Sequence, residues 1–269
     1  MSSPYQSLHN HTVFCDGKNT VEEMILAAIE QGLDSIGFSG HAPMPHRPNW
    51  CMDEATVPLY RAEVLRQKEK YADRIRVYLG IEQDYFSPAL DAPYDFIIGS
   101  VHVTYQNGRY CRMADDGAEF GYGGDYLRMA EDYYGLVADV VRKTGCQVVG
   151  HLDLLSKYNE GNKLFDMSHP RYMAAALGAL DELARQNTVL EINTGAMARG
   201  YRSEPHPSRV LLQAMYERHI PICFASDAHR TGDLLYGFPF AAQMARDCGY
   251  REYMYWNGTG FESRPIPEE

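Results

Sequence analysis

No Cys-x-x-Cys pair occurs in the chain: its six cysteines, at positions 15, 51, 111, 146, 223 and 248, are scattered. With 269 residues the chain can build a real core, so it needs no disulfide staples, and these cysteines read as packing residues or surface thiols. The start, "MSSPYQSLHNH", lacks a positive region followed by an apolar run, and no apolar stretch is long enough to span a bilayer. A reduced, cytoplasmic, membrane-free protein is the expectation. No G-x-G-x-x-G or P-loop pattern follows the first strand, which argues against a dinucleotide or ATP fold. An excess of positive charge is missing too. The formal net charge is −11, a poor basis for gripping a polyanionic duplex, and no nucleic-acid partner is expected. The one basic cluster, "RQKEKYADRIR", is interleaved with Glu69 and Asp73 and reads as a solvated helix face. Fixed-period repeats and low-complexity segments are absent as well.

What the chain does contain is alternation of short β-rich runs with helical patterns. "YQSLHNHT" (5–12) precedes "TVEEMILAAIEQG", where Thr20 and Glu23 have capping-box spacing and Gly32 marks a stop. "DSIGFSGH", "RVYLGIEQDY", "YDFIIGSVHV", "QVVGHLDLL", "TVLEINTG" and "IPICFASDAH" read as further strands. Helices are expected near 56–73, 125–144, 169–186, from about 207, and 238–248. Asn107-Gly108 is a two-residue hairpin signal. Strands alternating with helices mean βα units and a parallel sheet. Seven or eight such strands without a linker favour one barrel over the whole of 1–269.

Six of the ten histidines end a predicted strand: His9, His11, His41, His102, His151 and His229. If 5–12 is a strand, His9 and His11 stand on one face, since side chains at i and i+2 point the same way. Acids hold equivalent places at Glu82, Asp153, Glu191 and Asp227. In a parallel barrel all strand C-termini open on one face, which carries the active site. Imidazole and carboxylate groups without thiolates suit Zn, Mn or Fe doing hydrolysis.

With those residues laid out, the sequence resembles the polymerase-and-histidinol-phosphatase (PHP) family of metal-dependent phosphoesterases, and within it the histidinol-phosphate phosphatase branch. The motifs that carry the resemblance run in order: "LHNHTVFCDG", "GFSGHAP", "GIEQDY", "GSVH", "GHLDLL", "EINTGA" and "ASDAH". It implies an α/β fold, a distorted TIM-like (β/α)7 barrel with two or three divalent metal ions at the strand C-termini. Carried onto matching positions, His9, His11, Glu82 and Asp227 would hold one ion. Glu82 would bridge to a second, completed by His102 and His151, while Asp16, His41 and His229 would hold a third. Gly40 departs from the family, many members of which have Asp before that histidine.

The activity implied is hydrolysis of L-histidinol phosphate, a small phosphomonoester of histidine biosynthesis, by hydroxide generated at the metals. Asp227 or His229 is the expected proton donor to the departing alkoxide. Arg199 and Arg202, in "NTGAMARGYRSEPHPS", are the expected phosphate forks, with Ser39 and Lys157 as further substrate contacts. Glu191 and Asn193 are expected to support the barrel or the ligands, and His206 to serve substrate or a turn. The loop from Tyr105 to Tyr126, with Asp115, Asp116 and Glu119, reads as a lid over the cationic head group. Two alternatives share the pattern: a PHP phosphatase or phosphodiesterase acting on nucleotides, and a PHP barrel kept as a binding module. Oligomeric state is open at this level.

Overall fold

The computed structural model describes residues 3–46, 48–112 and 121–268. Six parallel strands form a sheet in the order β1-β2-β3-β6-β7-β8. They are β1 (Ser35–Phe38), β2 (Arg76–Asp84), β3 (Phe96–Ser100), β6 (Val148–Val149), β7 (Val189–Asn193) and β8 (Ile222–Ala225). β1, β7 and β8 are buried along their whole length. Strands covered on both faces read as continuous apolar runs rather than alternating ones.

The segment around "SLHNH" completes the ring. It is bridged in parallel to β1 at Ser7–Ile36 and to the exit of β8 at Asn10–Ala228. Backbone hydrogen bonds run to both sides: Gly37 N–H to Ser7 O at 2.9 Å, and His11 N–H to Ala228 O at 2.8 Å. The regular strand expected over 5–12 is therefore an extended segment with isolated bridges. Its side chains take some of the bonds a ladder would use. Asn10 Nδ2 donates to Gly37 O at 2.8 Å, and Ser7 Oγ lies 2.7 Å from Ser226 Oγ. The barrel is accordingly a distorted one of seven parallel elements.

Helices α1 (Val21–Glu30), α2 (Thr56–Lys70), α3 (Tyr126–Thr144), α4 (Pro170–Ala184), the short α5 (Gly195–Ala198), α6 (Arg209–Glu217) and α7 (Phe238–Asp247) accompany the strands. The capping box on α1 is present, with Thr20 Oγ1 accepting from Glu23 N–H at 3.2 Å and Glu23 returning a bond to Thr20 N–H at 2.8 Å. Asn107 (φ 50°) and Gly108 (φ 79°) turn the hairpin of β4 (Val103–Gln106) and β5 (Arg109–Arg112). A second hairpin pairs β9 (Glu252–Trp256) with β10 (Phe261–Pro265), and Gln6 Nε2 donates to its Trp256 carbonyl at 2.9 Å. Inside the barrel Gly80 is fixed by crowding: a Cβ there would sit 2.2 Å from the Phe96 ring. Among the described residues no helix is long and apolar enough to cross a membrane.

Candidate metal centre and active site

Every expected ligand leaves the barrel at the same end. His9 and His11 come from the first segment and His41 follows β1. Glu82 lies two residues before the end of β2, His102 follows β3, His151 follows β6, and Asp227 and His229 follow β8. The His9 and His11 rings stand side by side, centroids 5.1 Å apart. Three sets of potential ligand atoms lie close enough together to hold an ion: His11, Asp16, His41 and His229; His9, His11 and Asp227; His41, Glu82 and His102.

Glu82 is the centre of the arrangement. Its Oε2 lies 3.3 Å from His9 Nε2, 3.6 Å from His11 Nε2 and 2.7 Å from His41 Nδ1. Its Oε1 lies 3.0 Å from His151 Nε2 and 3.3 Å from His102 Nε2, and accepts a 2.7 Å bond from Ser100 Oγ. One carboxylate thus offers an oxygen to each side. Gly150 leaves room for this, since a Cβ there would meet Ser100 Oγ at 2.4 Å. Asp227 takes φ 47°, a left-handed backbone uncommon outside glycine, and brings Oδ1 to 3.1 Å from His11 Nε2.

The fit to cations shows in atoms left without partners. His9 Nε2, His11 Nε2, Asp16 Oδ1 and Glu82 Oε2 are all buried and hydrogen-bonded to nothing among the described residues, yet they converge. Buried polar atoms are costly when unpaired, and cations would satisfy all four. On three of these histidines the other ring nitrogen is already held, as is usual for ligating imidazoles. Glu191 takes His9 Nδ1 at 2.9 Å, Asp84 takes His102 Nδ1 at 3.1 Å, and Cys15 Sγ lies 3.4 Å from His11 Nδ1. Burial, with His229 and His41 beside it, presses His11 down to about 3, so it is neutral and ready to ligate. Burial lowers His102 as well, but Glu82 and the bond to Asp84 outweigh it and lift the ring to about 10. Glu82 and Asp227 are buried, yet the surrounding imidazoles and Arg199 hold both well below the usual carboxylate range.

A pocket of about 490 Å³ opens over this cluster. Lys157 and Arg199 line it; Arg202 and Ser39 do not. The Arg202 guanidinium is spent on Ser156, with Nη1 2.5 Å from its Oγ and 3.1 Å from its carbonyl, which removes it from the phosphate-fork role read from sequence. Ser39 is fully buried, its Oγ accepting the Asn10 N–H at 3.3 Å, so it is not a substrate contact. Arg199 faces the pocket while holding Asp227 Oδ2 at 2.8 Å and His229 Nδ1 at 3.0 Å. Lys157 lies 5.3 and 4.9 Å from the ring centroids of Tyr158 and Tyr201, and burial beside Arg199 lowers its ammonium to about 8. Asp227 does not suit the role of proton donor. Its partner Arg199 keeps it ionised, so it has no proton to give.

Glu191 and Asn193 support the ligands, as read from sequence, with Asn193 Nδ2 donating to Glu191 at 2.7 Å. His206 is a buried partner of Asp153 at 2.6 Å, not a pocket residue. The sequence reading missed Asp84, although its place two residues after Glu82 puts both on one face of β2. Tyr105–Arg112 of the expected lid belongs to the β4–β5 hairpin and 121–126 lead into α3, with Asp125 as its N-cap; 113–120, with Asp115, Asp116 and Glu119, lie outside the described residues. His46 stacks on Tyr110 at 4.4 Å, and His169 caps α4 through its Nδ1.

Comparison with known proteins gives the same answer as the geometry. The pattern of the PHP domain matches residues 7–195. A Deinococcus radiodurans protein designated a probable histidinol-phosphatase is 32% identical over 259 residues, covering 90% of this chain and 93% of that one. A Bacillus subtilis histidinol-phosphatase is 27% identical, over 86% of this chain and 95% of its own. The crystal structure of a Lactococcus lactis histidinol phosphate phosphatase, complexed with zinc, L-histidinol and phosphate, shares the fold. Its TM-score is 0.71 at 21% identity, covering 96% of this chain and 98% of that one.

Proposed function

The chain belongs to the PHP domain family, and on that premise we propose that it hydrolyses L-histidinol phosphate to L-histidinol and phosphate. The observation that carries this is the convergence of the four unpartnered ligand atoms beneath a pocket lined with cationic side chains. His9, His11, Glu82 and Asp227 would hold one divalent ion; Glu82, His102 and His151 a second; Asp16, His41 and His229 a third. Zn, Mn and Fe all suit such a donor set. Ions bound there would supply Lewis acidity toward the phosphoryl oxygens and activate water at neutral pH. A cytoplasmic setting, where thiols stay reduced, suits the six free cysteines.

The chain's own residues do the rest. Glu82, by offering both oxygens, sets the separation of the two sides. Glu191 and Asp84 hold the imidazoles in one orientation, so little rearrangement remains at the moment of reaction. Lys157 and Arg199 place positive charge where the phosphoryl oxygens gather it. The departing alkoxide needs a proton. A nitrogen that ligates cannot also donate, which argues against His229, whose Nε2 lies 3.2 Å from Asp16. Lys157 sits outside the ligand sets, lines the pocket and is protonated at neutral pH, so we assign it that proton.

The test is phosphate release from L-histidinol phosphate beside a panel of nucleotide and sugar phosphates, before and after chelation. Preference for histidinol phosphate, abolished by chelator and restored by a divalent metal, supports the reading. Better turnover of a nucleotide would move the substrate assignment within the family. Metal uptake without any turnover would favour a binding module.

A further inference from the structure

L-Histidinol phosphate carries an ammonium group beside its imidazole, and the pocket is a poor place for a second positive charge. Lys157, Arg199, Arg112, Arg230 and Lys18 all line it. Of the acids on its wall among the described residues, Asp16 and Asp227 fall in the candidate ligand sets. Asp233 alone does not.

Asp233 closes the short 3-10 turn Thr231–Asp233, four residues beyond His229. The turn is pinned from outside the pocket. Thr231 N–H donates to Asn19 Oδ1 at 3.2 Å, Gln31 Nε2 donates to the Thr231 carbonyl at 3.2 Å, and the next residue, Leu234, is wholly buried. Asp233 itself is 7% exposed, so water solvates its charge poorly. Among the described residues its one side-chain bond is a long one, Arg230 Nε to Oδ2 at 3.3 Å, from an arginine whose side chain is 60% exposed. Such a partner contributes little. Oδ1 accepts no hydrogen bond among the described residues. Asp233 thus puts a carboxylate on the pocket wall with one oxygen free of hydrogen bonds and only a long bond on the other, its charge otherwise shared with Arg199 across the pocket.

We propose that Asp233 pairs with the substrate's ammonium group and makes the pocket select phosphate esters of amino alcohols. The assignment rests on the reading of the substrate as L-histidinol phosphate and adds the residue that recognises its amine. The phosphoryl group then occupies the cationic side of the pocket and the ammonium the one acid of its described wall outside the ligand sets, which fixes the direction in which the substrate lies.

The experiment compares L-histidinol phosphate with 3-(imidazol-4-yl)propyl phosphate, which lacks only the amine, in the metal-loaded wild type, D233N and D233E. The readout is the ratio of kcat/KM for the two esters within each protein, so a loss of folded or metal-loaded enzyme cancels. In the wild type the amine ester should be preferred by about 10- to 100-fold, the range of one charge-assisted hydrogen bond. In D233N the ratio should collapse toward one, mainly through KM for the amine ester, and D233E should restore part of it. A wild type that prefers the amine ester and a D233N that keeps the preference would overturn the role of Asp233 alone. A wild type indifferent to the amine would overturn the substrate reading with it.

Discussion

Glu191 and His9, 182 positions apart in sequence, meet at 2.9 Å through Oε2 and Nδ1. The same carboxylate accepts the His151 N–H at 2.9 Å through Oε1, so one buried acid fixes two candidate ligands on opposite sides of Glu82. Its strand, β7, contributes no ligand of its own. Its contribution is orientation: with Nδ1 held, His9 can present only Nε2.

Replacing Glu191 by Gln should therefore weaken metal binding or turnover by about 10- to 100-fold, the usual cost of losing such a partner. Metal content after dialysis and kcat at saturating metal separate the two effects. Wild-type values for both would mean that Glu191 merely fills space.

Metal uptake should release protons. In the ion-free protein His102, lifted to about 10, is protonated at pH 7, and it must be neutral to ligate. Affinity should then rise with pH through the neutral range. Calorimetric titration in two buffers of different ionisation enthalpy measures the protons released; identical heats in both would contradict the prediction.

Lys157 at about 8 is protonated below that pH and loses its proton above it. kcat/KM for histidinol phosphate should fall on the alkaline side from near pH 8. K157M should remove that limb and cost about 100-fold or more with alkyl esters. p-Nitrophenyl phosphate, whose leaving group needs no proton, should lose much less. Equal losses for both esters would leave Lys157 with phosphate binding only.

Asp153 and His206 form a buried pair that serves stability. Burial pushes His206 down, so the neutral ring donates its Nδ1–H to Asp153. Burial acts to raise Asp153, but His206 and the Ser208 N–H outweigh it and hold it near 2. Its folded value lies below the unfolded one, about 3.9. The stabilisation is thus complete above pH 4 and drains away as pH falls toward 2. H206A removes one of the buried carboxylate's hydrogen-bond donors and should cost about 3 kcal/mol. For a chain of this size that is roughly 6 to 12 °C in Tm. A calorimetric scan at pH 7 that shows no shift would reject the pair's role.

The ligands were legible because the barrel rule converts "ends a strand" into "faces the site". Histidine at the end of "SLHNH", "GFSGH", "GSVH" and "VVGH" needed no further information. Supporting residues were legible only where they fell in a strand motif of their own, as Glu191 does in "LEINTG". Asp84 ends β2, but Glu82 two places earlier drew the assignment. Arg202 was misplaced for a different reason. It sits three residues from Arg199 in one loop, and sequence proximity cannot say that the chain turns one guanidinium to the pocket and buries the other against Ser156. Asp233 stands beyond the last strand motif, in a turn whose position depends on Asn19 and Gln31, and no local pattern marks it.

The ring closure has a consequence in time. Ser7 and Ser226, whose hydroxyls meet, are 219 positions apart. A ribosome adding about 5 to 20 residues per second makes the first of them wait roughly 10 to 40 s for the second. Through that interval His9 and His11 are on a tethered nascent chain with neither Asp227 nor His229 yet made. The two earliest ligands are thus the last to be enclosed. A nascent chain halted before β8 should carry all of Glu82, His102 and His151 and still fail to retain an ion at the His9 side. Loading at that side has to wait until β8 and the residues that follow it have been made.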